Sequence, residues 1–336
     1  MATEWIADGE KYALIGLEVK VDQAVPFREF EPGLWVWTDQ KFDIPAHWRE
    51  WIGSIRADQI ENSNLSLLCK MPSQTPDILD SENQLLQRRA WGFYVGLLLS
   101  STFTPSHEPI ILTGARRDGE IDVRQESTLA IPSLNVFRHY PPIFPQEIEQ
   151  AAVLGRCHET LNTTQVPGGA WRIFRALSVY VAARTSTQLL DRLHQYCRCI
   201  DGLILSEPGK GAAQFKCRTE LFIGPSHHPL MGELYAIRSH VEHLHEYKYL
   251  GNFDREERLD LVRKEAIVEH IARNALAHIL QNASLWPHFG NDAALAPFWK
   301  LSITERQAIW GRAAIKTADA LVAYDPNYIR DSDLGA

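Results

Sequence analysis

The 336-residue sequence lacks the features that mark exported or membrane-spanning proteins. Its N-terminus, Met-Ala-Thr-Glu-Trp, has neither a basic segment nor an apolar one, so nothing in it predicts export. The longest apolar run, residues 95–99, is far too short to cross a bilayer. We therefore expect a cytoplasmic protein with no membrane partner.

Paired cysteines at metal-ligand spacing are also missing. The five cysteines are odd in number, and Cys197 and Cys199 flank a single residue, so we interpret all five as reduced thiols. No HExxH order is present, and Gly209-Lys210-Gly211 lacks the first glycine and the hydroxyl residue of a P-loop. The sequence also contains no nucleophile elbow and no dinucleotide fingerprint. We predict no cofactor.

An excess of positive charge is absent as well. The net charge of −8 gives no general attraction to nucleic acid, which relies on clustered lysine and arginine. The hydrophobic share of 45% and the charged share of 23% are those of an ordinary globular protein, and the length allows two domains. Any RNA-binding surface must therefore be local.

Residues 1–145 mix strand and helix patterns. In the first predicted helix, Trp48, Trp51, Ile52 and Ile55 are expected to share one face. Asp118-Gly119 between two apolar runs predicts a β-hairpin. We predict a mixed α/β domain that ends in a proline-rich segment at residue 145. The patterns predict strands at 12–21, 34–38 and 65–70 and helices at 46–56 and 81–99.

Residues 146–330 have helical periodicity almost throughout, which predicts an all-α bundle and makes the whole chain α+β. In the segment 234–245, Leu234, Ile237, Val241 and Leu244 recur at helical spacing and predict one buried stripe. The predicted helices span residues 147–161, 171–183, 185–205, 214–223, one from about 231, and 255–283.

The same segment places Arg238, Ser239, Glu242 and His243 on its other faces. An arginine followed by a polar residue, with a histidine five positions after the arginine, resembles the signature of the HEPN helical superfamily. The sequence Tyr235-Ala-Ile-Arg238-Ser239, followed by His243, resembles the motif of the Apea-like branch of this superfamily in particular. The resemblance covers roughly residues 170–320.

Three further features are similar to that branch. An acidic residue, Asp201, lies near the end of a long predicted helix, and Arg218 precedes an apolar turn ahead of the segment 234–245. A long helix containing Ala272-Arg273-Asn274-Ala275-Leu276 follows it. The resemblance implies a HEPN-like helical bundle and a metal-independent endoribonuclease, with Asp201, Arg218 and Glu242 in RNA-binding or supporting roles. It also implies a homodimer and roles in toxin systems or antiviral defence.

The chemistry of these residue types agrees with that implication. RNA carries its own nucleophile, the ribose 2′-hydroxyl beside the scissile phosphate. A histidine exchanges protons near neutral pH, and an arginine can bind two phosphate oxygens at once. We therefore assign His243 as general acid and base, Arg238 as phosphate clamp, and Ser239 as a residue that orients the imidazole or holds a phosphate. Arg192, Arg198 and Arg218 could cluster into a binding groove.

Other interpretations remain open. Arg238 could pair with Glu233 or Glu242 on its own helix, while His243 makes a buried polar contact. The spacing recurs in Arg273, Asn274 and His278, a second-choice motif for which core packing is favoured. A metal site is disfavoured, because no carboxylate or thiolate lies at a recognised ligand spacing from His227, His228, His240, His243 and His245.

The alternative function is a catalytically inactive HEPN module that binds a protein partner or a nucleotide-like ligand. If the helical domain is a nuclease, residues 1–145 are expected to sense a trigger, recruit a partner or restrain the nuclease. An antitoxin is one such partner.

Overall fold

The structure is a computed structural model that describes residues 5–38, 44–77, 80–133, 141–245, 247–322 and 324–329. The chain forms two compact units: unit 1 comprises residues 1–132 and 140–159, and unit 2 comprises residues 133–139 and 160–336. Unit 1 contains a six-stranded antiparallel sheet and helices, so the predicted α+β class is confirmed. None of the described helices is long and apolar enough to span a membrane.

The sheet of unit 1 has the strand order β2-β3-β4-β1-β5-β6. All neighbours pair antiparallel. The predicted hairpin joins β5 to β6, and both Asp118 (φ 52°) and Gly119 (φ 82°) adopt the left-handed conformation that a two-residue turn requires. The strands are β1 (Glu10–Leu17), β2 (Arg28–Glu31), β3 (Leu34–Thr38), β4 (Leu65–Pro72), β5 (Ile110–Arg117) and β6 (Glu120–Thr128).

Helix α1 (Trp48–Glu61) contributes Trp48 to the core of unit 1. The Trp48 ring stacks on Tyr12 with centroids 6.0 Å apart, and its Nε1 donates to the carbonyl of Ile121 over 2.8 Å. The predicted shared apolar face is wrong, because Trp51 and Ile55 are 69% and 74% exposed. Gly53 interrupts the helix at φ 77°, so residues on its two sides do not share one helical face.

Helices α2 (Ser81–Ser100) and α3 (Pro145–Thr163) approach each other closely in unit 1. A Cβ on Gly96 would lie 2.2 Å from the carbonyl oxygen of Ala151, and one on Gly155 would lie 2.9 Å from the backbone nitrogen of Phe93. Glycine is therefore required at both positions, because any side chain would push the two helices apart. Helix α3 begins at the predicted boundary, residue 145, and continues past the end of unit 1 at residue 159.

The regular elements described in unit 2 are helices, and α5 lies at their centre. It packs against α4, α6, α7 and α9, and its residues Leu193, Tyr196, Ile200 and Leu203 are buried as the periodicity predicts. The helices are α4 (Trp171–Thr185), α5 (Leu189–Ile204), α6 (Gly211–Ile223), α7 (His228–Glu242), α8 (Tyr247–Gly251), α9 (Arg255–Gln281), α10 (Trp286–Phe289), α11 (Asp292–Lys300) and α12 (Ile303–Trp310).

The contact between α5 and α9 contains buried charges. Arg192 and Glu265 are both fully buried and form an ion pair, with Nε and Oε1 2.5 Å apart. Arg192 Nη1 also donates to the carbonyls of Ser186 and Thr187, in the connection between α4 and α5. Arg192 therefore holds the core of unit 2 together, and its predicted place in an RNA-binding groove is wrong.

Candidate functional site

Helix α7 carries the residues of the predicted motif. Leu234, Ile237 and Val241 are buried as predicted, but Leu244 is 81% exposed. The helix ends at Glu242, and Leu244 adopts a left-handed conformation at φ 58°. Because the periodicity of an α-helix no longer applies beyond residue 242, the fourth position of the predicted stripe is wrong.

Arg238 lies on α7, and its ion-pair partner lies on α5. Its Nη2 is 3.2 Å from Oδ2 of Asp201, whose other oxygen accepts a hydrogen bond from Ser206 Oγ over 2.8 Å. The guanidinium also lies 5.4 Å from the ring centre of Tyr235, one turn earlier. Its buried Nε makes no hydrogen bond with any residue that the structure describes. Arg238 is thus held by Asp201 and Tyr235, and its side chain is 21% exposed.

The carboxylates of α7 have other partners. Glu233 binds Lys264 of α9 over 3.0 Å, and Glu242 binds Nε2 of His194 on α5. This hydrogen bond from His194 lowers the pKa of Glu242 from its ordinary value. Arg238 forms its ion pair with Asp201 and not with Glu233 or Glu242, so the alternative pairing is wrong, although the nearby charge of Arg238 also lowers the pKa of Glu242.

Arg238 and Asp201 line a cavity of about 280 Å³ between α4, α5 and α7, which we call the arginine pocket. Four arginines contribute to its lining, whereas Asp201 is the one carboxylate among the lining residues. Exposed Trp171 forms part of the rim. The four arginines are Arg172, Arg175, Arg198 and Arg238.

The arginines of the pocket differ in how they are held. Arg172 donates from Nε to Asp292 over 2.7 Å and lies 5.2 Å from the ring centre of Trp171. Arg175 and Arg198 are exposed and form no ion pair with any other residue in the described ranges. Planar guanidinium groups bind phosphate and carboxylate oxygens in pairs, so this pocket can hold an anion of phosphate size.

His243 lies at the C-terminal end of α7, and its side chain is exposed. Its imidazole forms no hydrogen bond with the described part of the chain, and its ring centre is 6.4 Å from that of His245. The backbone nitrogen of His243 donates to the carbonyl of Ser239 over 3.2 Å. His243 is not among the residues that line the arginine pocket. The structure thus brings Arg238 and Asp201 together, and leaves His243 available at the end of the same helix.

Arg218, on α6, binds the end of α5. Its Nη1 donates to the carbonyls of Ile204 and Leu205, where α5 ends with Leu205 at φ 50°, and its Nη2 is 3.2 Å from Glu207. Desolvation by burial lowers the pKa of Arg218. Since carbonyls at the end of a helix need donors, Arg218 supports the helix that carries Asp201.

The second-choice motif lies on α9, where all three residues have partners. Arg273 Nε is 3.0 Å from Glu269, and the side-chain oxygen and carbonyl of Asn274 both accept from Arg312. His278 Nε2 lies 2.7 Å from the carbonyl of Trp310, and its Nδ1 lies 3.1 Å from Nδ2 of Asn282. Both ring nitrogens are satisfied by a neutral imidazole, which donates from Nε2 and accepts at Nδ1.

We expect His278 to make the protein less stable in mild acid. Desolvation by burial lowers the pKa of His278 below its ordinary 6.5, so the unfolded state binds this proton first. The stability that His278 contributes is therefore present above pH 6.5 and is lost as the pH falls through the folded-state pKa. His278→Gln keeps a donor for Trp310 but does not titrate. Denaturant unfolding at a series of pH values should give a smaller loss of free energy for this variant than for the wild type, and equal losses would contradict the prediction.

Comparisons with known proteins find no match. No protein-family model, no curated protein and no solved structure matched this chain. The resemblance to the HEPN superfamily therefore rests on the residues of the chain itself.

The sequence interpretation missed most of the arginine pocket. Arg172 and Arg175 are three residues apart on α4, a spacing that places both side chains on one side of a helix. This spacing was the one feature of the sequence that could have indicated that Arg172 and Arg175 lie side by side. Their meeting with Arg198 and Arg238 depends on how α4, α5 and α7 pack, which the periodicity of each helix does not specify.

Proposed function

We propose that unit 2 is a metal-independent endoribonuclease of the HEPN type that holds an RNA phosphate in the arginine pocket. The observation that carries the proposal is the meeting of four arginines and one carboxylate around a cavity large enough for a phosphate. Because the whole chain is acidic, this local cluster supplies the attraction that the overall charge does not.

The proposed reaction uses the nucleophile of the RNA. His243 removes the proton from a ribose 2′-hydroxyl, whose oxygen attacks the adjacent phosphorus. The bond from phosphorus to the 5′-oxygen breaks, and that oxygen takes up a proton as it leaves. The products are a 2′,3′-cyclic phosphate and a free 5′-hydroxyl. Arg238 stabilises the negative charge that develops on the phosphoryl oxygens in the transition state.

Joint action on one phosphate requires that Arg238 and His243 reach the same group. Five residues of α-helix extend about 7.5 Å along the helix axis, and His243 stands outside the lining of the pocket. We propose that a second copy of the chain completes the site, with Arg238 from one copy and His243 from the other. The active form is then a homodimer, and unit 1 restrains it, senses a trigger or recruits a protein partner such as an antitoxin.

A second candidate function is a catalytically inactive module that binds RNA or a nucleotide-like ligand through the same pocket. One specific observation favours it: the residues that line the pocket include no histidine. The two candidates share phosphate binding and differ in whether the bound RNA is cut.

Incubation of the purified full chain with a labelled single-stranded RNA in EDTA tests both candidates. We expect cleavage to products with a cyclic phosphate end. Arg238→Ala should weaken RNA binding about 10- to 100-fold, because a charge-assisted hydrogen bond contributes about 1.5–3 kcal/mol. Binding without cleavage would favour the inactive module, and no binding would contradict both candidates.

Asp201→Asn is the matched control. It removes the one carboxylate of the pocket lining but keeps an oxygen that can accept from Ser206. If the pocket holds phosphate, this variant should bind RNA at least as tightly as the wild type, because the repulsion between carboxylate and phosphate is gone. A loss of affinity equal to that of Arg238→Ala would contradict the expected repulsion and would show that Asp201 is needed to position Arg238.

A further inference from the structure

A cysteine, a glutamate and a histidine meet on the outside of unit 2, away from the arginine pocket. Within the described part of the chain, Cys217, Glu220 and His228 are the one group of three such residues whose ligand atoms all lie within 4.8 Å of one another. Glu220 is mostly buried, His228 is partly exposed, and Cys217 is exposed. Ions and proteins can therefore reach the group from solvent.

Two local features bring these residues together. Cys217 and Glu220 are three residues apart on α6, so their side chains lie on the same side of that helix. The chain then turns at Gly224, whose φ of 80° and ψ of 171° favour glycine, and passes through a short 3₁₀ turn at Pro225–His227. His228 is the first residue of α7, and its Nε2 contacts Oε1 of Glu220.

Both helices are anchored independently of this group. Phe222, near the end of α6, packs on Trp310 with ring centres 5.0 Å apart, and its carbonyl accepts from the backbone nitrogen of Ile315 over 2.7 Å. Met231 and Leu234 bury the first turns of α7. The three ligand side chains are therefore placed on a fixed scaffold, which is what a preformed metal site needs.

We propose that Cys217, Glu220 and His228 bind a Zn²⁺ ion. A thiolate, an imidazole and a carboxylate are the three ligand types that zinc takes in proteins, and a water molecule would complete a tetrahedral site. The thiolate disfavours Mg²⁺ and Ca²⁺, which select oxygen ligands. Glu220 and His228 could form an ion pair without a metal, and such a pair would not require a thiol next to it. Cys217 is the observation that separates a metal site from a plain ion pair.

The ion would join the last turns of α6 to the first turn of α7. Arg238 is ten residues further along α7, about 15 Å away along the helix axis. The proposed zinc therefore stabilises the position of the helix that carries Arg238 without contacting the phosphate. The inference does not rest on the proposed function, and cleavage in EDTA remains the expectation for the arginine pocket.

Titration of the metal-free full chain with Co²⁺ tests the site by spectroscopy. One bound Co²⁺ per chain should produce a thiolate charge-transfer absorption and the strong visible bands of four-coordinate cobalt, and Zn²⁺ should abolish both. Saturating Zn²⁺ should raise the unfolding temperature by about 5 °C, because it binds only the folded chain. Mg²⁺ should neither abolish the cobalt bands nor raise the unfolding temperature.

Three variants and two matched controls make the test specific. Cys217→Ser, Glu220→Gln and His228→Ala should each weaken Co²⁺ binding more than about 100-fold, since even residues behind the ligands cost 10–100-fold. Cys157→Ser and His227→Ala should leave the spectrum unchanged. Glu220→Gln keeps the shape of the side chain, so a lost spectrum in a normally folded variant identifies a ligand. Absence of the thiolate band in the wild type, or its persistence in Cys217→Ser, would overturn the proposal.

Discussion

Replacing His243 by alanine is expected to slow RNA cleavage by about 10²- to 10⁴-fold, the usual contribution of a general acid or base. RNA affinity and the free energy of unfolding should change little. The imidazole is exposed and forms no hydrogen bond with the described residues, so its removal leaves no buried group unsatisfied. Single-turnover cleavage in EDTA measures the chemical step, and RNA affinity is measured separately.

His245→Ala is the matched control for this variant. His245 is also exposed and lies two residues further along the chain. It should retain the cleavage rate of the wild type. Equal rates for His243→Ala and His245→Ala would refute the assignment of His243 as general acid and base.

A mixture of two inactive variants distinguishes a site made within one chain from a site shared by two. In a mixed dimer of Arg238→Ala and His243→Ala, a shared site combines the intact Arg238 of one copy with the intact His243 of the other. Cleavage should then return in part on mixing. If both residues act within one chain, each copy lacks one of them and the mixture stays inactive.

Glu265→Ala is expected to destabilise unit 2 by about 3–5 kcal/mol, because it removes the carboxylate that pairs with the buried charge of Arg192. Both side chains of the pair are 0% exposed, and the guanidinium has no route to water in the folded state. Denaturant unfolding of the full chain should show the transition of unit 2 at a lower denaturant concentration. A change below 1 kcal/mol would contradict this role of the pair.

Lys210→Ala provides the comparison with an exposed ion pair. Lys210 and Glu207 are 64% and 51% exposed, so the loss of their contact should change the free energy of unfolding far less than Glu265→Ala does. A double replacement, Arg192→Met with Glu265→Leu, should recover part of the lost stability, because two apolar side chains remove both charges of this pair. Full recovery is not expected, since Arg192 also donates to the carbonyls of Ser186 and Thr187.

The helices of unit 2 show which buried residues hydrophobic periodicity can predict and which it cannot. The burial of Leu234, Ile237 and Val241 followed from their spacing alone, because residues three or four apart face the same side of a helix. The exposure of Leu244 could not be predicted from spacing, because it depends on where α7 ends. In unit 1, Ile55 was misplaced for a similar reason: Gly53, with a positive φ, interrupts the helix before Ile55.

The sequence by itself determined the α+β class, the approximate limits of most helices, the Asp118-Gly119 hairpin and the position of Arg238 on the polar side of α7. These properties depend on neighbours within one or two turns of the chain. Only the tertiary structure decided that Arg238 contacts Asp201, that Arg172, Arg175 and Arg198 join it, and that Arg192 is buried against Glu265. Those contacts join residues of different helices, and the packing of α4, α5, α7 and α9 selects which charges meet.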